Sequence, residues 1–201
     1  MGKKRVVDLG TGSGEVFSRI IAGSTGRAVA TEQWEPNSRV AAKRLAAFTV
    51  PVVYASGRVL PFGDAVFDVV LSRHEAVEPA EIDRVLQPGG GFLTQQVCPE
   101  HWPELKQFFP RATVFADHWR GYQEWFRGRG YEVEARRADY QVVFGGLADL
   151  VFMLMVAPWE IPGFDVDADE TALLALENAY AGEEGIKLSE GRYLLAAIKP
   201  G

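Results

Sequence analysis

One cysteine, Cys98, leaves no partner for an internal disulfide, so a reducing compartment is the expectation. Positive charge is scarce and scattered. The chain has 21 Lys and Arg against 27 Asp and Glu, a net charge of −6, and its longest basic run is Lys3-Lys4-Arg5. Nucleic-acid binding draws on clustered positive charge, so this balance argues against such a partner without excluding one. No apolar run reaches the ~20 residues of a membrane-spanning helix, and no signal peptide precedes the first apolar run. A cytoplasmic protein without a membrane partner is expected. Repeats, low-complexity tracts and linkers are also missing, which points to a single domain over residues 1–201. That length suffices to bury most of the apolar surface.

The first half alternates two kinds of segment. Lys4–Leu9, Arg27–Thr31, Pro51–Ala55, Val66–Leu71 and Gly91–Val97 are short, largely β-branched runs that read as strands. Between them, Glu15–Ala22 carries Val16, Ile20 and Ile21 at helical spacing, and Pro36–Phe48 places Val40, Ala41, Leu45 and Phe48 on one face. Pro79–Leu86 reads as a short helix stopped by Pro88-Gly89-Gly90. Strand–helix alternation of this kind implies right-handed crossovers and a mainly parallel sheet covered on both faces, a doubly wound α/β fold.

The second half is less regular. Trp102–Phe109 and Tyr122–Arg129 read as helices and Tyr131–Val143 as a strand. Leu150–Ala157, within Gly145–Ala157, is apolar on every side and reads as a buried helix or pocket wall. Asp167 and Glu170 resemble a capping box before Thr171–Tyr180, where Leu173, Leu176 and Tyr180 share a face. Arg192–Lys199 reads as the last strand, so residues 144–190 form a helical insertion before it.

The most informative stretch is Val6-Val7-Asp8-Leu9-Gly10-Thr11-Gly12-Ser13-Gly14-Glu15. A short apolar run ends in a carboxylate and breaks into alternate glycines, which lets a ligand approach main-chain N–H groups at a helix N-terminus. Asp8 suits a ligand carrying positive charge better than a nucleotide diphosphate. Glu32 follows 18 residues after Gly14, at the end of the second strand, where a carboxylate can accept both hydroxyls of a ribose. Leu60-Pro61-Phe62 precedes Phe67-Asp68, and Arg84-Val85-Leu86-Gln87-Pro88-Gly89-Gly90 links helix to strand. In that order and at those intervals, over about residues 4–97, the segments resemble the class I S-adenosylmethionine-dependent methyltransferases, in the branch with "LPF…FD" and "RVLxPGG" motifs.

The resemblance implies a seven-stranded sheet, S-adenosylmethionine as cofactor and the following roles. Asp8 and the turn containing Gly10, Thr11, Gly12 and Gly14 would hold the methionine end of the cofactor, and Glu32 its ribose. The family's usual aspartate before "LPF", which bonds the adenine amino group, corresponds here to Ser56, followed by Gly57 and Arg58. Ser56 can accept a hydrogen bond but lacks the charge that strengthens one. Ser72 and Arg73 would line the methyl-bearing face. His74 is the candidate general base, with Glu75 able to orient it, against a bland reading in which His74 only caps a helix or bonds a loop. There is no Asn/Asp-Pro-Pro-aromatic tetrapeptide after the fourth strand, which disfavours transfer to an exocyclic base nitrogen by that mechanism.

Gln95 and Gln96 could bond an acceptor or satisfy nearby loops. His101 and His118 lack an acidic partner at close spacing and read as solvated helix ends, and Cys98 reads as a core residue. Trp102, Trp119, Trp125 and Trp159 divide between an apolar acceptor pocket and core packing. No metal is expected. The first strand begins close to Met1, whereas many such enzymes carry N-terminal helices over the cofactor. A shortened chain, an open cleft and a lid from another subunit all remain open readings, and the 144–190 insertion is expected to pack beside the cleft in partial substitution. The leading expectation is a methyltransferase acting on a small-molecule acceptor. Its rivals are a non-catalytic protein that binds S-adenosylmethionine or S-adenosylhomocysteine on the same fold and, more distantly, a nicotinamide-dependent oxidoreductase.

Overall fold

The computed structural model describes residues 4–24 and 26–201, so Lys3 of the basic triplet lies outside the described residues. The strands are β1 (Arg5–Leu9), β2 (Arg27–Glu32), β3 (Val52–Tyr54), β4 (Phe67–Arg73), β5 (Leu86–Val97), β6 (Glu132–Phe144), β7 (Ala181–Gly182) and β8 (Gly185–Ile198). They form one sheet in the order β3-β2-β1-β4-β5-β8-β6, with the two-residue β7 pairing β8 off this path. Pairs β1–β2, β2–β3, β1–β4 and β4–β5 are parallel. Strand β8 runs antiparallel to β5, with Lys199 N–H on Gly90 O and Cys98 N–H on Gly191 O.

The chain runs outward from β1 to β2 and β3, then returns to place β4 on the other side of β1. Asp8 pairs with Ala30 of β2 and with Leu71 of β4, so β1 lies at the switch point. Helices α1 (Glu15–Ile21), α2 (Glu35–Leu45, continued as a 3-10 turn through Phe48) and α3 (Pro79–Val85) follow β1, β2 and β4. In open α/β sheets the crevice beyond the strand carboxyl ends at such a point is where ligands bind.

By contacts the chain divides into two compact units, each treated separately below. The first runs to Gln96 and includes His118–Arg136 and Tyr193–Gly201. One of its cores joins Phe17, Ile21, Ala30, Ala41, Leu45 and Val50, and burying a residue such as Phe17 or Leu45 contributes about 1.5–3 kcal/mol. The helical faces differ from the expectation. Val16, Ile20, Val40 and Phe48 are exposed, and the covered faces are Phe17 with Ile21 and Ala41 with Leu45. Strand β5 begins before the Pro88-Gly89-Gly90 segment rather than after it. Phe67 pairs with Leu86 but Val69 with Gly91, so the segment is a bulge inside the strand. Helix α5 (His118–Gly128) starts earlier than expected and also belongs to this unit.

The second unit comprises Val97–Asp117 and Arg137–Arg192. Its core gathers Trp102, Leu105, Phe109, Leu150, Leu154, Ile161, Leu173, Leu176, Ile186 and Leu188 from α4 (Leu105–Phe108), α6 (Leu147–Val156), α7 (Glu170–Tyr180), β8 and the intervening loops. The helix expected over 102–109 shrinks to α4, because Trp102 takes a left-handed φ of 43° and gives its N–H to Ser189 O at 2.8 Å. Helix α6 is not buried all round: Leu150 and Leu154 are covered while Phe152, Met155 and Val156 are exposed. The capping box is also corrected. Asp169 is the N-cap of α7 and makes no side-chain cap bond. Its carboxylate instead accepts Arg111 Nη2 at 2.5 Å and Asp165 N–H at 3.1 Å. Strand β8 begins at Gly185, seven residues before the expected Arg192, so the inserted helices end sooner. Among the described residues no helix is long and apolar enough to cross a membrane.

Candidate active site at the carboxyl edge of the sheet

Beyond β1 the backbone turns through Gly10, Gly12 and Gly14, all left-handed with φ of 63°, 61° and 77°. A Cβ on Gly10 would stand 2.5 Å from Glu75 Cβ, whereas one on Gly12 would meet nothing within 4 Å. The turn is held from the β2 side. Thr31 O accepts the Thr11 N–H at 2.9 Å, and the Glu32 carboxylate accepts Gly12 N–H and Trp34 N–H, each at 2.8 Å. Glu32 thus ties the glycine turn to the entry of α2. It stands at the end of β2, on the carboxyl edge of the sheet.

Asp8 is buried at the end of β1, and burial pushes its carboxyl up to about 6. The Thr11 hydroxyl and the Arg73 guanidinium act in the opposite direction without offsetting burial. The Thr11 Oγ1 is itself buried and makes no full hydrogen bond. A cation beside Asp8 would supply the compensation this carboxyl lacks. The open space at Gly12 and the under-compensated Asp8 fit a cofactor with a cationic end.

The remaining predicted residues lie on the loop after β3 and at the end of β4 with the turn that follows it. After β3, Ser56 Oγ accepts the Arg58 N–H at 3.2 Å, Gly57 is buried and Arg58 is exposed. At the end of β4, Arg73 and the following His74 are exposed, and His74 is left-handed at φ 61° with its N–H on Gln95 O at 2.9 Å. Such a conformation is uncommon for a residue with a Cβ, and it turns the chain sharply at the strand end. Ser72 is buried and directs its hydroxyl to the Glu75 carbonyl at 3.2 Å rather than outward. Gln96, bonded to Thr94 Oγ1 at 2.8 Å, donates to the same carbonyl at 2.8 Å, the loop-satisfying role. Tyr122 of α5 braces the turn from below, its hydroxyl donating to Val77 O at 3.2 Å.

Glu75 is where the structure adds most. Its Oε1 accepts the Gly57 N–H at 3.1 Å and lies 3.3 Å from Gln33 Nε2, so one side chain joins the loops after β2, β3 and β4. Sequence reasoning assigned Glu75 only to His74 and passed over Gln33. The available signal was a glycine at 57, where a Cβ would stand 3.0 Å from Glu75 Cγ.

In the second unit His101 departs from its reading as a solvated helix end. It is buried, its Nε2 lies 3.7 Å from Glu160 Oε1, and Arg192 Nη1 bonds its Nδ1 at 3.0 Å. The acidic partner is distant in sequence, which hid it from a spacing rule. Trp102 is core and stacks on His101, while Trp159 is exposed. Trp119 and Trp125 are half-buried, Trp119 against Tyr193 and Trp125 against Phe126 and Arg129. His118 stacks on Tyr122, and Cys98 is buried. No group of three or more His, Cys, Asp or Glu able to hold a metal occurs among the described residues.

Residues 7–94 match the family model described as "Methyltransferase domain". None of the curated proteins searched matches the chain. Among solved structures the chain is similar to YcgJ from Bacillus subtilis, at 16% identity and a TM-score of 0.72, over 99% of this chain and 93% of that one. It is similar also to a proposed methyltransferase from Bacillus halodurans C-125, at 18% identity and a TM-score of 0.71, over 100% and 94% of the two chains. A third similar structure is phosphoethanolamine N-methyltransferase 2 of Haemonchus contortus, solved with phosphomonomethylethanolamine and S-adenosylhomocysteine, at 16% identity and a TM-score of 0.65. That match covers 99% of this chain and 49% of the other. These likenesses carry the fold, and the family model carries the chemistry. Residues 7–94 thus carry a methyltransferase domain, and the whole chain shares the fold of these structures.

Proposed function

We propose that the chain binds S-adenosylmethionine at the carboxyl edge of β1, β2 and β4 and passes its methyl group to a small-molecule acceptor. The observation that carries this reading is Asp8: a buried carboxyl, pushed up to about 6, at the switch point of the sheet beside a glycine turn. Burying a carboxylate without a partner is unfavourable, and a cationic ligand turns that cost into affinity. Gly10, Thr11, Gly12 and Gly14 then shape the seat of the methionine end, and Glu32 faces the ribose. Ser56, Gly57 and Arg58 border the purine, and Ser72 and Arg73 form the wall toward the acceptor. The cofactor supplies an electrophilic methyl group on a sulfonium. The protein contributes alignment and exclusion of water, worth about 7–11 kcal/mol where alignment is good. His74, exposed on the turn after β4, is the candidate to take a proton from the acceptor. The net charge of −6 and the lone Cys98 support a small-molecule acceptor and a cytoplasmic setting.

Parallel calorimetric titrations with S-adenosylmethionine, S-adenosylhomocysteine and NAD test the reading. Binding of both adenosyl compounds and label transfer from methyl-labelled cofactor into small-molecule extract are expected. Binding of NAD alone would overturn it, and adenosyl binding without transfer to any extract fraction would leave a cofactor-binding protein without the enzyme.

A further inference from the structure

Ser56 is the weak point in the proposed purine site. It offers a hydroxyl where a carboxylate would bond an amino group more strongly, and that hydroxyl already accepts the Arg58 N–H at 3.2 Å. The structure brings a carboxylate to the same place from the other side. Glu75 Oε1 lies 3.1 Å from the N–H of Gly57, the residue next to Ser56. Two glycines clear its path, since a Cβ would stand 2.5 Å from Glu75 Cβ at Gly10 and 3.0 Å from Glu75 Cγ at Gly57. Its main chain is fixed as well: Gln96 Nε2 and Ser72 Oγ both donate to the Glu75 carbonyl, at 2.8 Å and 3.2 Å.

The carboxylate has capacity to spare. Two oxygens offer about four lone-pair directions, and they meet one backbone N–H and the Gln33 amide at 3.3 and 3.4 Å. Burial raises the Glu75 carboxyl above its ordinary range, so the surroundings do not fully solvate the anion. An N–H donor beside a carboxylate acceptor matches the edge of a 6-aminopurine, whose ring nitrogen N1 accepts and whose amino group donates. A 6-oxopurine presents the reverse pattern at both atoms.

Resting on the cofactor reading above, we infer that Glu75 reads the exocyclic amino group of the cofactor's purine, in the role Ser56 leaves open, with the Gly57 N–H taking purine N1. On binding, the Gly57 N–H passes from Glu75 to the ring nitrogen and the amino group takes the freed oxygen. Gln33 keeps the carboxylate from the third side.

Calorimetry of wild type, Glu75→Gln and Glu75→Ala against S-adenosylhomocysteine and its 6-oxo counterpart, S-inosylhomocysteine, tests this. Wild type is expected to favour the adenosyl compound by about tenfold or more. Glu75→Ala should lose most of that preference through weaker adenosyl binding, with inosyl binding little changed. Glu75→Gln keeps the size and an acceptor oxygen, so its loss is smaller and guards against misfolding. Adding Ser56→Asp to Glu75→Ala should restore the preference. Adenosyl affinity that is unchanged or higher in both Glu75 variants would overturn the assignment, the latter identifying the side chain as an obstruction. Wild type binding neither compound would instead strike at the cofactor reading itself.

Discussion

Arg84 donates from Nη1 to the carbonyl oxygen of Phe62 at 2.7 Å, joining the "RVLxPGG" segment to the "LPF" segment. The same guanidinium reaches Leu60 O at 3.0 Å, Asp64 Oδ1 at 2.9 Å and both oxygens of Glu81 at 2.7 and 2.8 Å. Glu81 in turn accepts the Leu60 N–H at 2.8 Å. Two motifs that carry the resemblance in sequence are therefore one brace in space. The brace fixes the course of the chain after Ser56-Gly57.

Breaking the brace should cost stability more than chemistry. Arg84→Met leaves the Leu60 and Phe62 carbonyls without this donor, and a loss of about 2–3 kcal/mol is expected in denaturant unfolding. The Glu81 carboxyl, held down to about 2 by the Arg84 hydrogen bond, adds a pH signature. A depressed carboxyl stabilises above its unfolded value near 4.5 and loses that contribution as pH falls toward 2. The wild type should thus lose more stability than Arg84→Met between those limits. Equal acid sensitivity of the two would count against the brace.

Asp8 carries the opposite sign. Its folded value near 6 exceeds the ordinary 3.8, so the folded chain holds this proton more tightly than the unfolded chain. The contribution of Asp8 is therefore most favourable below about pH 4 and is lost as pH rises through 6. Asp8→Asn removes the cost, and at pH 7.5 the ligand-free protein should gain on the order of 2–3 kcal/mol. Adenosyl binding should fall by about tenfold or more in the same variant, since the cationic end loses its partner. In wild type, affinity should drop about tenfold per pH unit below 6. A variant that is both less stable and tighter-binding would reverse the role given to Asp8.

How far the sequence carried depended on whether the deciding contacts were local. Val-rich runs, helical spacing and the glycine turn are local, and they place β1 to β4 and α1 to α3 to within a few residues. Which apolar residues face inward was less legible: Phe17, rather than Val16 or Ile20, meets the core, because helix rotation is set by what packs against it. For α6 an all-apolar surface fixed the helix but not its cover, and Phe152 and Met155 lie exposed. Asp8, Glu32 and the glycines were legible because strand ends and turns announce them. Glu75 and His101 were not, since their partners Gly57 and Glu160 lie 18 and 59 positions away and have no fixed spacing.

His74 couples backbone strain to the proposed proton transfer. At φ 61° a non-glycine residue gives up about 1 kcal/mol. His74→Gly should recover roughly 0.5–1 kcal/mol in thermal unfolding, while methyl transfer falls by ~10²-fold through loss of the base. His74→Asn tolerates the left-handed turn and separates the two effects, lowering the rate without the stability gain. Unchanged kcat in both variants would return His74 to a turn-forming role.

Gly10 and Gly12 share a left-handed backbone but not an environment, and the difference isolates Glu75. Both lose about 1 kcal/mol on conversion to alanine from φ alone. Gly12→Ala meets open space, so its stability loss should stop there. Gly10→Ala forces a methyl group to 2.5 Å from Glu75 Cβ, an atom tethered to a backbone that Ser72 and Gln96 hold in place. It should lose a further 1–3 kcal/mol, roughly, from overpacking. Removing the obstacle with Glu75→Gly should return that second part and leave the first. A double-mutant cycle in chemical denaturation reads the coupling directly, and additive losses would mean that the turn and the strand end after β4 do not press on each other.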